Sequence, residues 1–260
     1  MSTLVKTEAI VLRYTPVFNT SRVVNWLTPH HGRITTLIKG SQRPKSQFIG
    51  QYDLFYTCEI IYYASDRREL HPLRECSPLE PRRALCGDWK AAACASYYAD
   101  LAYRVSPPHA PLRPLYHLLD QGLDDACAHG GAYAALFHFE MKLLELLGFR
   151  PVLDTCTACG RPPGEREETY FGLHKGGLLC AHCREAEPHH CERISPAVLR
   201  MLAAWQGVER PDAARRIRCS EIQVHEITHL LGRFVEYHLD LHLHSRAIAV
   251  DILNRKRVAA

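Results

Sequence analysis

No run in this chain approaches the ~18 consecutive apolar residues that a membrane-spanning helix needs. The first residues, Met1 to Tyr14, lack the basic start, apolar block and small-residue cleavage site of a secretory signal; Lys6 and Glu8 break into an alternating pattern instead. Together these absences predict a cytoplasmic protein with no membrane partner. Common enzyme signatures are missing as well: there is no phosphate-cradling Gly-rich loop, no G-x-S-x-G, no G-x-G-x-x-G and no paired-carboxylate arrangement. The most informative absence is local. Between Ala9 and Tyr52 there is no acidic residue, while six basic ones occur: Arg13, Arg22, Arg33, Lys39, Arg43 and Lys45.

What is present fits a folded chain. With 260 residues, 47% apolar and 23% charged, it can bury one sizeable core or two modest ones. The net charge of +4 is small, so the acid-free stretch says more about partners than the whole-chain figure does. It reads as a surface for a polyanion, against the plain alternative of a solvated basic face. Eleven cysteines is a high and odd number. Seven are scattered (Cys58, Cys76, Cys86, Cys94, Cys127, Cys191 and Cys219), mostly beside apolar residues, and suit buried thiols in a reducing compartment better than a disulfide framework.

Residues 1–80 read as an antiparallel β-barrel. Val5, Thr7, Ala9 and Val11 alternate, as do Val23, Asn25 and Leu27; Ile34 to Ile38 and Tyr52 to Tyr63 are rich in β-branched and aromatic residues. Thr28 to Gly32 is a turn, and Gly40 to Gly50 a polar basic loop. Helical spacing then takes over at Asp88–Val105, Leu115–Ala128 and Tyr133–Leu147, the last stopped by Gly148 and Pro151. Ser195-Pro196 opens another helix, and Ile222 to His244 reads as one long final helix before a basic tail at Arg255-Lys256-Arg257. The resulting division is α+β and multidomain: a barrel over 1–80, a helical domain over 81–153 and 193–260, and an inserted Cys module over 154–192.

That module carries Cys156-x2-Cys159 and, after a short intervening segment, Cys180-x2-Cys183. A two-residue gap lets both thiolates of a pair turn toward one ion, and two such knuckles complete a tetrahedral sulfur shell suited to one Zn²⁺. Such a closed shell has no position for water, so the metal is expected to be structural. Two redox thiol pairs, or free cysteines, are the alternative. His182, His189, His190 and Cys191 lie close enough in sequence to replace a ligand. A second motif, His225-Glu226-Ile227-Thr228-His229, is a literal H-E-x-x-H. At about 100° per residue, Ile227, Leu231, Phe234, His238 and Leu241 share a stripe, while His225, His229, Gly232 and Glu236 point away from it. Val235 stands where an extended protease motif needs a third His. A zinc metalloprotease using His225, Glu226 and His229 is therefore the lesser reading, beside that of a zinc-stapled scaffold without DNA binding.

The order of parts resembles the RecO family of bacterial DNA repair proteins over essentially the whole chain. The likeness rests on Thr7 to Leu12 with Asn19 to Val24, on His31-Gly32-Arg33 through Lys39 to Ser46, on Phe139 to Pro151 running into Cys156 to Gly160, and on Tyr237-His238-Leu239 with Ser245-Arg246. Gln51-Tyr52-Asp53 departs from the family's more common Gln-Pro-Phe turn. The resemblance implies an OB-fold at the N-terminus and no catalytic turnover. It implies binding to single- and double-stranded DNA, annealing of complementary strands, and loading of RecA onto SSB-coated strands together with RecR, in the nucleoid. It further implies contact with the acidic tail of SSB, for which Phe139, Lys142 and Leu146 have suitable helical spacing. By itself the chain is expected to be a monomer. The six cations of the acid-free stretch are the expected phosphate contacts. Tyr14, Phe18, Phe48 and Tyr52 either stack on bases or fill the barrel, with core favoured for Phe18 and Tyr52.

Overall fold

The alternating start of the chain closes on itself. A computed structural model describes residues 3–65, 67–164, 168–185 and 191–255. β1 (Thr3–Val17), β2 (Ser21–Thr28), β3 (Gly32–Ile38), β4 (Thr57–Ala64) and β5 (Leu70–Glu80) form a closed barrel in the order β1-β2-β3-β5-β4. Every ladder is antiparallel except β3–β5. Five strands closed with this one parallel pairing make an OB-type barrel. β1 is long enough to serve two neighbours: its first half pairs with β4 and its second with β2, and a register shift between Val11 and Arg13 turns it from one to the other.

Ala9, Val11, Val24, Trp26, Ile34, Ile38 and Ile60 fill the barrel. The Trp26 indole N–H donates to Thr36 Oγ1 at 2.8 Å, which satisfies its one polar atom inside the core. Val23, Asn25 and Leu27, the alternating set visible in the sequence, lie on the other face of β2. Asn25 and Leu27 are buried there too, so β2 is covered on both sides. The strand expected from Tyr52 begins only at Thr57. Phe55 adopts φ 68°, and Phe48 and Tyr52 turn in from the preceding loop to plug the barrel.

Beyond a 3₁₀ turn at Arg83–Gly87 come α1 (Trp89–Val105) and α2 (Arg113–His129). Asp88 caps α1 by accepting from the N–H groups of Lys90 and Ala91. Arg82, only 4% exposed, donates to Asp120 (2.6 Å), Asp124 (2.7 Å), the Phe55 carbonyl and Thr57 Oγ1. This one side chain joins the barrel wall to α2. The chain divides into two compact units, Met1–Gly130 and Gly131–Ala260, and α1 and α2 group with the barrel.

The second unit holds α3 (Tyr133–Leu146), a three-stranded sheet of β6 (Thr169–Gly172), β7 (Gly177–Cys180) and β8 (Cys191–Ile194), and the short α4 (Ala181–Arg184). There follow α5 (Pro196–Gly207), α6 (Pro211–Ala214), α7 (Glu221–Leu239) and α8 (His244–Asn254). Ser195 caps α5 as expected, and Ser220 with Gln223 forms a capping box on α7. The final helix expected over Ile222–His244 stops at Leu239, and a separate one starts at His244: Asp240 takes the left-handed conformation (φ 51°), which the sequence does not flag with a glycine. Gly232, expected to face outward, is buried against α8. A Cβ there would sit 2.5 Å from Arg246 Nη1. The Arg246 guanidinium pairs with the fully buried Glu140 at 2.6 and 3.2 Å and donates to the Thr228 carbonyl. Among the described residues no helix is long and apolar enough to cross a membrane.

Candidate metal centre and nucleic-acid interface

The two cysteine knuckles converge. The Sγ atoms of Cys156, Cys159, Cys180 and Cys183 all lie within 4.8 Å of one another, with Cys159 and Cys180 3.9 Å apart. The first knuckle turns at Gly160 (φ 73°), whose N–H donates to the Cys156 carbonyl at 2.8 Å. In the second, Cys180 ends β7 and caps α4, which carries Cys183. Leu178 N–H donates to Val152 and its carbonyl accepts from Thr157 N–H, so the two knuckles are sewn together through main chain. Burial raises the Cys156 thiol, but the N–H groups of Cys180, Cys159 and Ala158 outweigh this and bring it down to about 6. Cys183 goes the other way, pushed up to about 12 by hydrogen bonding to Cys180 and Cys159. Four sulfurs are thus competing for negative charge, and a metal cation relieves that competition. Among the described residues the group contains the four cysteines and no histidine. His182 is exposed and Cys191 packs beside the cluster; His189 and His190 lie outside the described residues, as do Lys256 and Arg257 of the basic tail.

The six barrel cations fall into two groups. Arg13 on β1 and Arg33 on β3 both lie over the ring of Tyr103 in α1, at 4.7 and 4.3 Å from its centroid, and Arg33 Nε donates to the Ser106 carbonyl. Arg22, Lys39, Arg43 and Lys45 gather at the other group, where the loop after β3 meets the β1–β2 turn: Gln42 N–H donates to the Thr20 carbonyl, and Gly40 N–H to Ser21 Oγ. Arg22 stacks on Tyr14 at 4.3 Å, while Lys39, Arg43 and Lys45 are exposed. Among the described residues none of the six makes an ion pair with a carboxylate.

Of the four candidate aromatics, Phe48 and Tyr52 belong to the barrel core, and Tyr14 packs against it while carrying Arg22. Phe18 departs from the core expectation: it is 86% exposed at the tip of the β1–β2 turn, beside the basic loop. Tyr103 was not legible as a site residue, because nothing in a tyrosine-rich helix says which ring will receive two arginines.

The H-E-x-x-H motif does not converge. His225 and His229 are exposed on α7, and His229 Nδ1 meets Glu192 at 3.0 Å. Glu226 accepts from Ser195 N–H (2.7 Å) and Ser195 Oγ (3.0 Å), so it anchors the start of α5. The trio Phe139, Lys142 and Leu146 lies on α3. Phe139 is buried, and Lys142 Nζ is held by Glu145 (3.2 Å), Glu209 (3.0 Å) and the Gln206 carbonyl. Its charge is already compensated.

Comparison with known proteins agrees with this arrangement. The family model described as "Recombination protein O N terminal" matches residues 1–82, and that described as "Recombination protein O C terminal" matches 86–247. A protein named DNA repair protein RecO from Anaeromyxobacter sp. (strain K) is 31% identical over 95% of this chain and 96% of its own length. Like-named proteins from Moorella thermoacetica and Bacillus pumilus are 28% and 26% identical, covering 97% and 98% of this chain and 92% and 97% of their own lengths. A barrel followed by helices that a four-sulfur module interrupts, matched by two family models across nearly all of the sequence, places the chain in the RecO family of DNA repair proteins.

Proposed function

We propose that this chain is a non-catalytic DNA-binding and strand-annealing factor of recombinational repair, with its barrel as the DNA-binding part. The observation that carries the reading is the uncompensated charge of Arg13, Arg22, Arg33, Lys39, Arg43 and Lys45. Stacking on tyrosine leaves terminal N–H groups of Arg22 and Arg33 uncommitted for a phosphate, although Arg22 Nε is buried without a partner and Arg33 Nε donates to the Ser106 carbonyl. Phe18 adds a rigid apolar surface on which a base can stack. Annealing then needs no acid or base: a basic surface screens two negative strands until their bases pair. By analogy with the family, the duplex and single-stranded forms are both ligands, and the protein-level context is RecR and the acidic SSB tail, with RecA loaded onto SSB-coated strands. The compensated Lys142 speaks against the α3 trio as the tail's receptor.

The four sulfurs fit zinc. A tetrahedral shell with Zn–S near 2.3 Å has sulfurs about 3.8 Å apart, and Cys159 and Cys180 stand at 3.9 Å. Such an ion would supply folding energy and no chemistry. The anchoring role of Glu226 supports the non-enzyme reading over a metalloprotease.

The test is a titration of labelled single-stranded DNA at several salt concentrations, with metal per chain measured on the same sample. Arg43→Ala/Lys45→Ala is expected to weaken binding and to flatten the slope of log affinity against log salt by about 0.7 per lost phosphate contact. Negligible affinity of the wild-type chain even at low salt would overturn the reading and favour a scaffold.

A further inference from the structure

Between β2 and the loop that follows β3 lies a cavity of about 380 Å³, at the small end of the range usual for organic ligands. Its walls include Arg22, Gln42, Ile49, Gly50, Asp53 and Tyr56; Ser41 also lines it, with its hydroxyl shut away from solvent. Two opposite charges face this space without meeting. The Arg22 guanidinium lies 4.3 Å from the centroid of the Tyr14 ring and 6.0 Å from that of Tyr52. Only its Nε is buried without a partner; the terminal nitrogens are accessible and uncommitted. Asp53 is exposed, and its Oδ1 accepts from Leu54 N–H (2.8 Å) and from the Tyr14 hydroxyl (3.1 Å). Its Oδ2 has no partner among the described residues. Tyr14 therefore holds the guanidinium with its ring and the carboxylate with its hydroxyl, yet Arg22 and Asp53 do not pair. Burial and the Asp53 carboxylate push the Tyr14 hydroxyl above its ordinary value, so it stays a donor.

The loop around this space is held in shape. Arg43 N–H donates to the Gly40 carbonyl, Ser46 N–H to Arg43, Ile49 N–H to Ser46, Gln51 N–H to Phe48 and Tyr56 N–H to Asp53, a succession of closed turns. Phe48 and Tyr52 anchor it in the barrel core. Ile49 is nevertheless 55% exposed, an apolar side chain on a cationic loop. Next to it Gly50 (φ 74°) leaves open space where a side chain would stand. The cavity thus combines an unobstructed backbone rim, apolar surface and two unmatched charges on a framework that is already ordered.

We propose that this cavity takes one unpaired guanine of the bound strand, with Arg22 donating to O6 and N7 and Asp53 accepting from the N1 and N2 N–H groups. The proposal rests on the DNA-binding reading above and moves Arg22 from phosphate to base. Charge decides the class of ligand. Asp53 repels a phosphate, and Arg22 repels a metal ion or an amine. A neutral ring with acceptors on one side and donors on the other satisfies both. Among the four DNA bases only guanine carries two adjacent acceptors for the guanidinium fork and two adjacent donors for the carboxylate. Ile49 and Tyr56 supply surface for the ring, while Lys39, Arg43 and Lys45 keep the backbone. In a duplex the N1 and N2 donors are taken by cytosine, so the cavity refuses a paired guanine and releases its base when the complement arrives. The surface then grips a strand before pairing and loosens afterwards, as an annealing factor must.

The experiment measures binding of the full chain to a labelled oligothymidylate with one central guanine, beside the all-thymine strand. The wild type should favour the guanine strand by about fivefold or more. Replacing that guanine by inosine, which lacks the N2 amino group, or by 7-deazaguanine, which lacks N7, should each remove most of the preference. Asp53→Asn should no longer distinguish inosine from guanine. Arg22→Lys, which keeps the charge and loses the fork, should no longer distinguish 7-deazaguanine from guanine. Both variants should bind the all-thymine strand with an unchanged salt slope, which also reports that they are folded. Equal wild-type affinity for the guanine and all-thymine strands, with steep salt dependence retained, would overturn the guanine site and leave the DNA-binding surface standing. A guanine preference that survives both substitutions would overturn it as well. Absence of binding to either strand at low salt would overturn the site and the DNA-binding reading together.

Discussion

Two sets of basic side chains, one in each unit, meet opposite surroundings. On the barrel, Arg13, Arg22 and Arg33 lie against tyrosine rings and meet no carboxylate among the described residues. In the second unit Arg246 is locked to Glu140, Lys142 to Glu145 and Glu209, Arg193 to Glu168, and Arg233 to Glu192. An aromatic face holds a guanidinium in place without using up its donors, whereas a carboxylate takes them. The first arrangement leaves charge for a polyanion; the second turns charge into internal structure. Arg82 shows that the rule follows surroundings and not position in the chain, since it sits at the end of the barrel and is consumed by Asp120 and Asp124.

The contrast can be broken in several ways. The largest effect is expected at the sulfur cluster, whose four cysteines could hold a metal ion. Cys180→Ser, or a chelator, should unfold the segment from about Val152 to Ile194, seen as loss of amide protection there while the barrel stays protected. Next come the consumed charges. Arg246→Ala leaves Glu140 buried alone and should cost about 3–5 kcal/mol in urea unfolding. Arg13→Ala, on the barrel surface, should cost about 1 kcal/mol or less. Equal losses would erase the distinction between consumed and available charges.

Glu226→Gln tests a smaller internal contact. It weakens the anchoring of Ser195 and should cost about 1 kcal/mol, and no change in hydrolysis is expected; measurable proteolysis by the wild type, abolished in this variant, would reinstate the protease reading. The smallest effect concerns pH. His71 and His238, one in each unit, are both held below the usual histidine value, chiefly by burial. The unfolded chain therefore binds more protons than the native one as pH falls below about 6.5. Their stabilisation is present above that pH and is lost as pH drops toward their folded-state values. The acid limb of the stability curve should flatten in His238→Gln.

Much of this molecule was legible in advance because the relevant signals are local. Period-two alternation exposed β1, a proline and a serine marked the start of α5, and Gly148 with Pro151 marked the end of α3. The cysteine tetrad was readable because a C-x2-C pair needs only a tight turn to aim both sulfurs, and a second pair has little else to do. Other features depend on what lies opposite in space. H-E-x-x-H has the right spacing for a metal, but spacing on one helix does not bring a third ligand, and Ser195 claimed Glu226. The helix break at Asp240 carries no glycine. Phe18 looks like core by composition and stands in solvent because a turn tip has nothing to pack against.

The amino-acid order alone determined the strand-then-helix sequence of parts, the two sulfur knuckles, and an acid-free stretch rich in arginine and lysine. These follow from rules that act over fewer than about ten residues. Which cations stay available, which are consumed, and which carboxylate shares a cavity with an arginine were decided only when the barrel closed and the helices packed. A charge or an imidazole acquires its role from neighbours distant in sequence, and those neighbours are chosen by tertiary packing.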